Sequence, residues 1–145
     1  MRPDVSPDAP RAGRASPERL TVLANAMARV PEVRFAYLFG STARGDDGPL
    51  SDIDLAVFLD EAADPFETRL SLIDLVTRRL GDDRVDVVVL NTAPVALAGR
   101  VLASRQLLFE RDAFARHRYE SRVMREFADF RVFERRHFDR RYRRG

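Results

Sequence analysis

The stretch Phe39–Asp60, FGSTARGDDGPLSDIDLAVFLD, decides how this chain is read. It places a Gly-Ser pair at the end of one apolar run, then a turn-rich segment. Two aspartates separated by one isoleucine then open a second apolar run. Val33–Phe39 and Ile53–Leu59 are rich in β-branched and aromatic residues, which predicts two strands flanking the turn. Asp52 and Asp54 stand two positions apart, so a strand projects both carboxylates from one face. Like charges so placed repel unless a cation lies between them. Hard oxygen donors at this spacing suit Mg²⁺, which takes one or two carboxylates and completes its shell with water and phosphate oxygens. Solvated decoration of a strand start is the bland alternative.

The same chemistry draws in residues on either side. Asp86 interrupts the apolar run Val85–Leu90, which reads as a third strand of a sheet buried on both faces. If that strand lies beside Ile53–Leu59, its carboxylate comes over the same spot, and three carboxylates can hold two metals about 4 Å apart. The competing reading of Asp86 is an edge-strand charge paired with Arg84. Gly40 lets the backbone turn closely under a phosphate. The Ser41 hydroxyl and the amides of a short helix opening at Ser41–Arg44 can donate to phosphate oxygens. Arg44 adds a fork-shaped cation for the same anion, or else pairs with Asp46 or Asp47.

Outward from this centre, Met1–Ala15 is rich in Pro, Asp, Arg and Gly and reads as a flexible arm (residues 1–15). Ser16-Pro17-Glu18 is an N-cap signal, and Leu20, Leu23, Ala24, Met27 and Val30 recur at helical spacing until Pro31. Phe66, Leu70, Ile73, Leu75, Val76 and Leu80 predict a helix over Pro65–Leu80, stopped by Gly81. Pro94–Ser104 is a short helix, with Leu107–Phe109 extended after it. Asp112 caps a long terminal helix whose stripe is Tyr119, Val123, Phe127, Phe130 and Phe133. The expected fold is α/β (α+β): a small mixed sheet of three or four strands with helices packed on it. The core spans 16–110, and the terminal helix, 111–145, is a candidate partner-binding element.

Composition bounds the function. The chain has 145 residues, 45% hydrophobic and 33% charged, enough for one globular domain with a real core. No apolar run of about 18 residues predicts a membrane span, and no h-region predicts a secretory signal. With no cysteine, disulfides and thiolate metal sites are excluded, which suits a cytoplasmic protein. Every basic residue is Arg, and 12 of the 25 lie between Arg111 and Arg144, beside six acids. With a net charge of only +2, direct nucleic-acid binding is not expected of the chain as a whole. His117 and His137 lack any metal-ligand pattern and read as surface residues. Phe133, Phe138 and Tyr142 extend the terminal stripe beyond what a small sheet covers, which suits a protein-binding surface as well as fraying.

The motif Gly40-Ser41, ten intervening residues and Asp52-Ile53-Asp54 resembles the signature of polymerase-β-type nucleotidyltransferases. Its wording and the compact chain are similar to the minimal nucleotidyltransferases, the MntA-like antitoxins of HEPN ribonuclease toxins. The resemblance implies a nucleotidyltransferase fold and transfer of AMP from ATP to a tyrosine hydroxyl of a HEPN toxin, in a hetero-oligomer whose partner is encoded beside the chain. It further implies phosphate binding by Gly40, Ser41 and Arg44, and two Mg²⁺ ions held by Asp52, Asp54 and Asp86. Asp86 would also assist the attacking hydroxyl. The toxins' own Arg-x₄-His motif is missing, since five residues separate Arg111 from His117. Two readings stay open beside this one. The acceptor is a small molecule such as an aminoglycoside, or the chain masks its partner by binding alone. No segment suits the thumb of a DNA polymerase.

Overall fold

The computed structural model describes residues 16–40, 53–81 and 84–142, without the side chains of 138, 139, 141 and 142. The order is α1 (Pro17–Ala28), β1 (Val33–Leu38), β2 (Ile53–Leu59), α2 (Pro65–Leu80), β3 (Val85–Val89), α3 (Val95–Ala103), β4 (Gln106–Glu110) and α4 (Ala113–Tyr142). A 3₁₀ turn, Leu90–Thr92, follows β3. The helix starts are capped as their sequences require. The Arg19 N–H donates to Ser16 Oγ at 3.3 Å, Glu67 N–H to Asp64 Oδ1 at 3.0 Å, and Ala115 N–H to Asp112 Oδ1 at 3.0 Å. Gly81 ends α2 in the left-handed conformation, φ +67°.

The sheet is four-stranded and mixed, in the order β3-β2-β1-β4. β1 runs antiparallel to both β2 and β4, and β2 pairs parallel to β3. Helices cover both faces. α1 and α2 bury Leu23, Met27, Leu72 and Val76 against Leu55, Val57, Leu59 and Val87. α3 and the first half of α4 bury Ala98, Val101, Tyr119 and Val123 against Phe35, Tyr37 and Ala56.

Residues 33 and 35 would face the same way in a regular strand, yet Val33 belongs to the first core and Phe35 to the second. The pairing with β2 slips between them, a bulge that turns Phe35 onto the α4 side. There its ring stacks on Phe58, centroids 4.9 Å apart and planes within 6°. The bulge therefore gives both faces large apolar side chains.

Two departures from the sequence reading have clear causes. β3 is an edge strand, with Asp86 exposed and only Val87 and Val89 buried, so it is not covered on both faces. Apolar composition does not distinguish a covered strand from an edge. On α2, Phe66 and Leu70 are 64% and 45% exposed, while the buried positions are Thr68, Leu72 and Val76. The helix turns those two apolar residues off the sheet. On α4, Phe133 is 66% exposed, in keeping with a stripe longer than the sheet covers.

Beyond the end of β3, the side chain of Asn91 replaces a strand partner for Leu59. Its Oδ1 accepts from Leu59 N–H and its Nδ2 donates to Leu59 O, both at 2.8 Å. Arg111 ties the sheet to α1 by donating to Val33 O at 3.1 Å and Ala28 O at 3.1 Å, a cation on the carbonyl end of the helix.

α3 and α4 meet at Gly99, where an added Cβ would lie 2.2 Å from the Phe127 ring. A Gly99→Leu variant is expected to lose about 2 kcal/mol to overpacking, more than the ~1 kcal/mol that helix propensity returns. Urea unfolding checks this through a lower midpoint.

Candidate functional site

Three of the residues singled out in the sequence meet at one end of the sheet. Gly40 follows the end of β1, Asp54 is the second residue of β2, and Asp86 is the second residue of β3. The parallel register sets Asp54 opposite Asp86. Both sit on the α3/α4 side of the sheet, in phase with Ala56, Phe58 and Val88. The sequence supplies this placement directly: each aspartate opens a strand whose remaining residues are apolar.

Gly40 has φ +67°, the left-handed region where a side chain is strained. A Cβ there would stand 2.9 Å from Asp54 Oδ2. The turn therefore passes directly against the Asp54 carboxylate, and only glycine permits that approach. Phe39 N–H donates to Asp54 O at 3.1 Å, which carries the strand pairing up to the turn.

Sequence reasoning missed Ser104, the residue that follows the last turn of α3. Gly40 N–H donates to Ser104 Oγ at 2.8 Å, and the serine hydroxyl in turn reaches Arg100 O at 3.4 Å. A residue 64 positions away thus holds the glycine turn, and no local pattern in the sequence signals it. Ser104→Ala is expected to speed amide hydrogen exchange at Gly40 about fivefold, the equivalent of one net hydrogen bond of ~1 kcal/mol. NMR-detected exchange at that amide checks it.

Asp86 is half-exposed at its carboxylate and pairs with Arg69 of α2, Nη2 to Oδ1 at 3.3 Å. The same arginine donates from Nε to Val87 O at 2.7 Å, so it wraps the free edge of β3. Arg69, across the edge, is thus a partner of Asp86 that the sequence reading, which weighed the adjacent Arg84, did not name.

Ser41, Arg44 and Asp52 lie outside the described residues, as does the short helix expected at Ser41–Arg44. Among the described residues no group of three or more His, Cys, Asp or Glu converges. The donor set is nonetheless of the right kind: two carboxylates in register and a glycine turn held open against one of them. Hard oxygen donors of this sort fit Mg²⁺ with a phosphate ligand. Of the histidines, His117 is exposed and His137 stacks on Phe133 at 6.0 Å between ring centroids. No helix among the described residues is long and apolar enough to cross a membrane.

The model of the family described as polymerase beta, nucleotidyltransferase, matches residues 22–114, which include all of β1 to β4. None of the curated proteins matches the chain. Among solved structures, a chain of a toxin–antitoxin structure with AMP-PNP superposes with a TM-score of 0.70 at 22% identity, over 83% of this chain and 95% of that one. A chain of the toxin–antitoxin MntA-HepT gives 0.66 at 20% identity, over 86% and 97%. A third comes from Shewanella oneidensis, a tri-AMPylated HEPN toxin in complex with MNT antitoxin. It gives 0.62 at 21% identity, over 83% and 96%. At these identities the likeness establishes the shared fold.

Proposed function

The chain belongs to the polymerase beta nucleotidyltransferase family, and we propose that it is an antitoxin of the minimal kind, a protein adenylyltransferase. In this reading it moves AMP from ATP to a tyrosine hydroxyl of a HEPN-type toxin in the cytoplasm and so neutralises it. The observation that carries the reading is the corner where Gly40 packs on Asp54 and Asp54 faces Asp86. Support comes from the likeness in fold to chains of toxin–antitoxin complexes, one of them with AMP-PNP and another with an AMPylated toxin.

The residues divide the work. Gly40 lets the backbone turn closely under the triphosphate, Ser41 brings it a hydroxyl and a backbone amide, and Arg44 adds positive charge. Asp52, Asp54 and Asp86 would hold up to two Mg²⁺ ions, which would neutralise the triphosphate and lower the pKa of the attacking hydroxyl. The tyrosine oxygen forms a bond to the α-phosphorus, in line with the leaving group. The α–β anhydride bond breaks, pyrophosphate departs with the electron pair, and Asp86 takes the hydroxyl proton. Arg69 restrains the Asp86 carboxylate at the sheet edge. Holding both reactants in this geometry supplies much of the acceleration.

ATP labelled in the α-phosphate should leave its label on the partner protein, and ATP labelled in the γ-phosphate should release it as pyrophosphate. Label on the partner from the γ position instead would make the chain a kinase and refute the proposal. A small-molecule acceptor is the alternative, and label recovered on an aminoglycoside in place of the partner protein would favour it.

A further inference from the structure

A cleft of about 630 Å³ lies between the end of β2 and the first turns of α4, away from the corner described above. Phe58 and Tyr119 line it, and Arg118, Arg122 and Arg125 project along one face of α4 at intervals of four and three residues. These arginines make no ion pair among the described residues. Arg118 instead lies over the ring of Phe114 at 5.6 Å, and Arg122 over that of Tyr119 at 5.4 Å. Phe114 is 70% exposed. Tyr119 is only 3% exposed, and its hydroxyl has no hydrogen-bond partner among the described residues. Burial pushes that hydroxyl up to about 12, so at neutral pH it is a donor awaiting an acceptor.

We infer that this cleft is a docking site for the partner protein, taking a segment that carries carboxylates beside an apolar side chain. The inference rests on the functional reading above and adds where the partner is held. Unpaired arginines on aromatic faces are the composition of interface hot spots, and each guanidinium can fork onto a carboxylate. The apolar side chain packs on Phe58 and Phe114. The rim argues for a protein over a nucleic acid. Asp60, Asp112 and Glu61 stand there, the first held by Arg34 at 2.8 Å and the second by the Ala115 amide. A polyphosphate would carry a charge at every step past them, whereas a peptide need place carboxylates only against the arginines. Phe58 lies four residues along β2 from Asp54 on the same face, about 13 Å away. A partner seated in the cleft is thus held beside the site without occupying it.

The test is calorimetric titration of a HEPN-type protein, the partner that the functional reading calls for, into the wild type, Arg118→Glu/Arg122→Glu, and Arg79→Glu. Arg79 is an exposed arginine of α2 outside the cleft. The double variant is expected to bind at least about 30-fold more weakly, with Arg79→Glu unchanged and ATP binding equal in all three. Thermal melts check folding, and Arg118→Ala/Arg122→Ala replaces the charge reversal if that variant unfolds. Wild-type affinity in the double variant overturns the inference, as does an equal loss in Arg79→Glu. Single-stranded RNA that binds the wild type and is lost in the double variant, with partner affinity intact, assigns the cleft to nucleic acid and also overturns it. A wild-type chain that binds ATP but no partner sinks the functional reading itself, and this inference with it.

Discussion

Asp54→Asn is expected to lower AMP transfer to the partner by about 10³-fold while leaving the fold and the complex intact. An amide matches the carboxylate in shape but carries no charge, so in the proposed reading a bound metal would lose one anionic ligand beside the triphosphate. A loss of that size corresponds to ~4 kcal/mol of transition-state stabilisation, within what a metal contributes by neutralising phosphate charge. The backbone of Asp54 is engaged by Phe39 N–H and by the strand pairing, and neither needs the side-chain charge. The strand pairing should therefore persist in the variant, and a thermal melt run beside the transfer assay checks folding. Single-turnover transfer at saturating ATP, with complex formation followed in parallel, separates lost chemistry from lost binding.

The largest stability effect is expected at Glu120. This carboxylate is 8% exposed and accepts from Tyr37 Oη at 2.6 Å and Arg116 Nη1 at 3.0 Å, with Arg105 Nε at 3.3 Å. Arg116 continues to Glu110 at 2.9 Å, so one network links β1, β4, the end of α3 and α4. Glu120→Ala strands the fully buried Tyr37 hydroxyl and leaves two guanidiniums without their shared anion. Breaking a buried pair costs 3–5 kcal/mol, and the partial exposure of both arginines places this one near ~3 kcal/mol. Thermal melting should fall by roughly 10 °C for a chain of this size.

The same residue gives a pH dependence. Burial raises the Glu120 carboxyl, but the hydrogen bonds from Tyr37 and Arg116 and the charges of Arg105 and Arg116 together outweigh it, and the net shift is downward. A depressed carboxylate contributes stability that is complete above its ordinary value of 4.5 and is lost as pH falls through the folded value. Glu120→Gln has no such contribution. The stability gap between wild type and this variant should hold from neutral pH to about 5 and narrow below 4.5. A gap that widens in acid would contradict the assignment.

Much of this was legible in the chain because local rules and tertiary structure agree. β2 and α2 have the bounds their patterns predict, since Asp64-Pro65 and Gly81 punctuate the helix and apolar residues fill the strand. The aspartates were conspicuous for the opposite reason: a charge at the head of an apolar strand is a local conflict, and such conflicts collect at functional sites. What was not legible depends on contacts distant in sequence. The bulge at Arg34 follows from the demand of two cores for side chains, not from any glycine or turn signal. Ser104 beneath Gly40, Arg69 beside Asp86 and Asn91 at the end of β2 are each joined across 17 to 64 residues. The edge position of β3 was hidden because Val87 and Val89 are apolar whether one side of the strand or both is paired. The cleft arginines are hidden similarly: twelve arginines in the terminal segment look alike until α4 turns Arg118, Arg122 and Arg125 together.

Intact-mass spectrometry of the HEPN-type partner, after incubation with this chain, ATP and Mg²⁺, tests the central claim most directly. The account predicts a gain of one AMP mass or a multiple of it, absent with Asp54→Asn. A partner that forms a stable complex yet gains no mass would contradict transfer and leave neutralisation to binding alone.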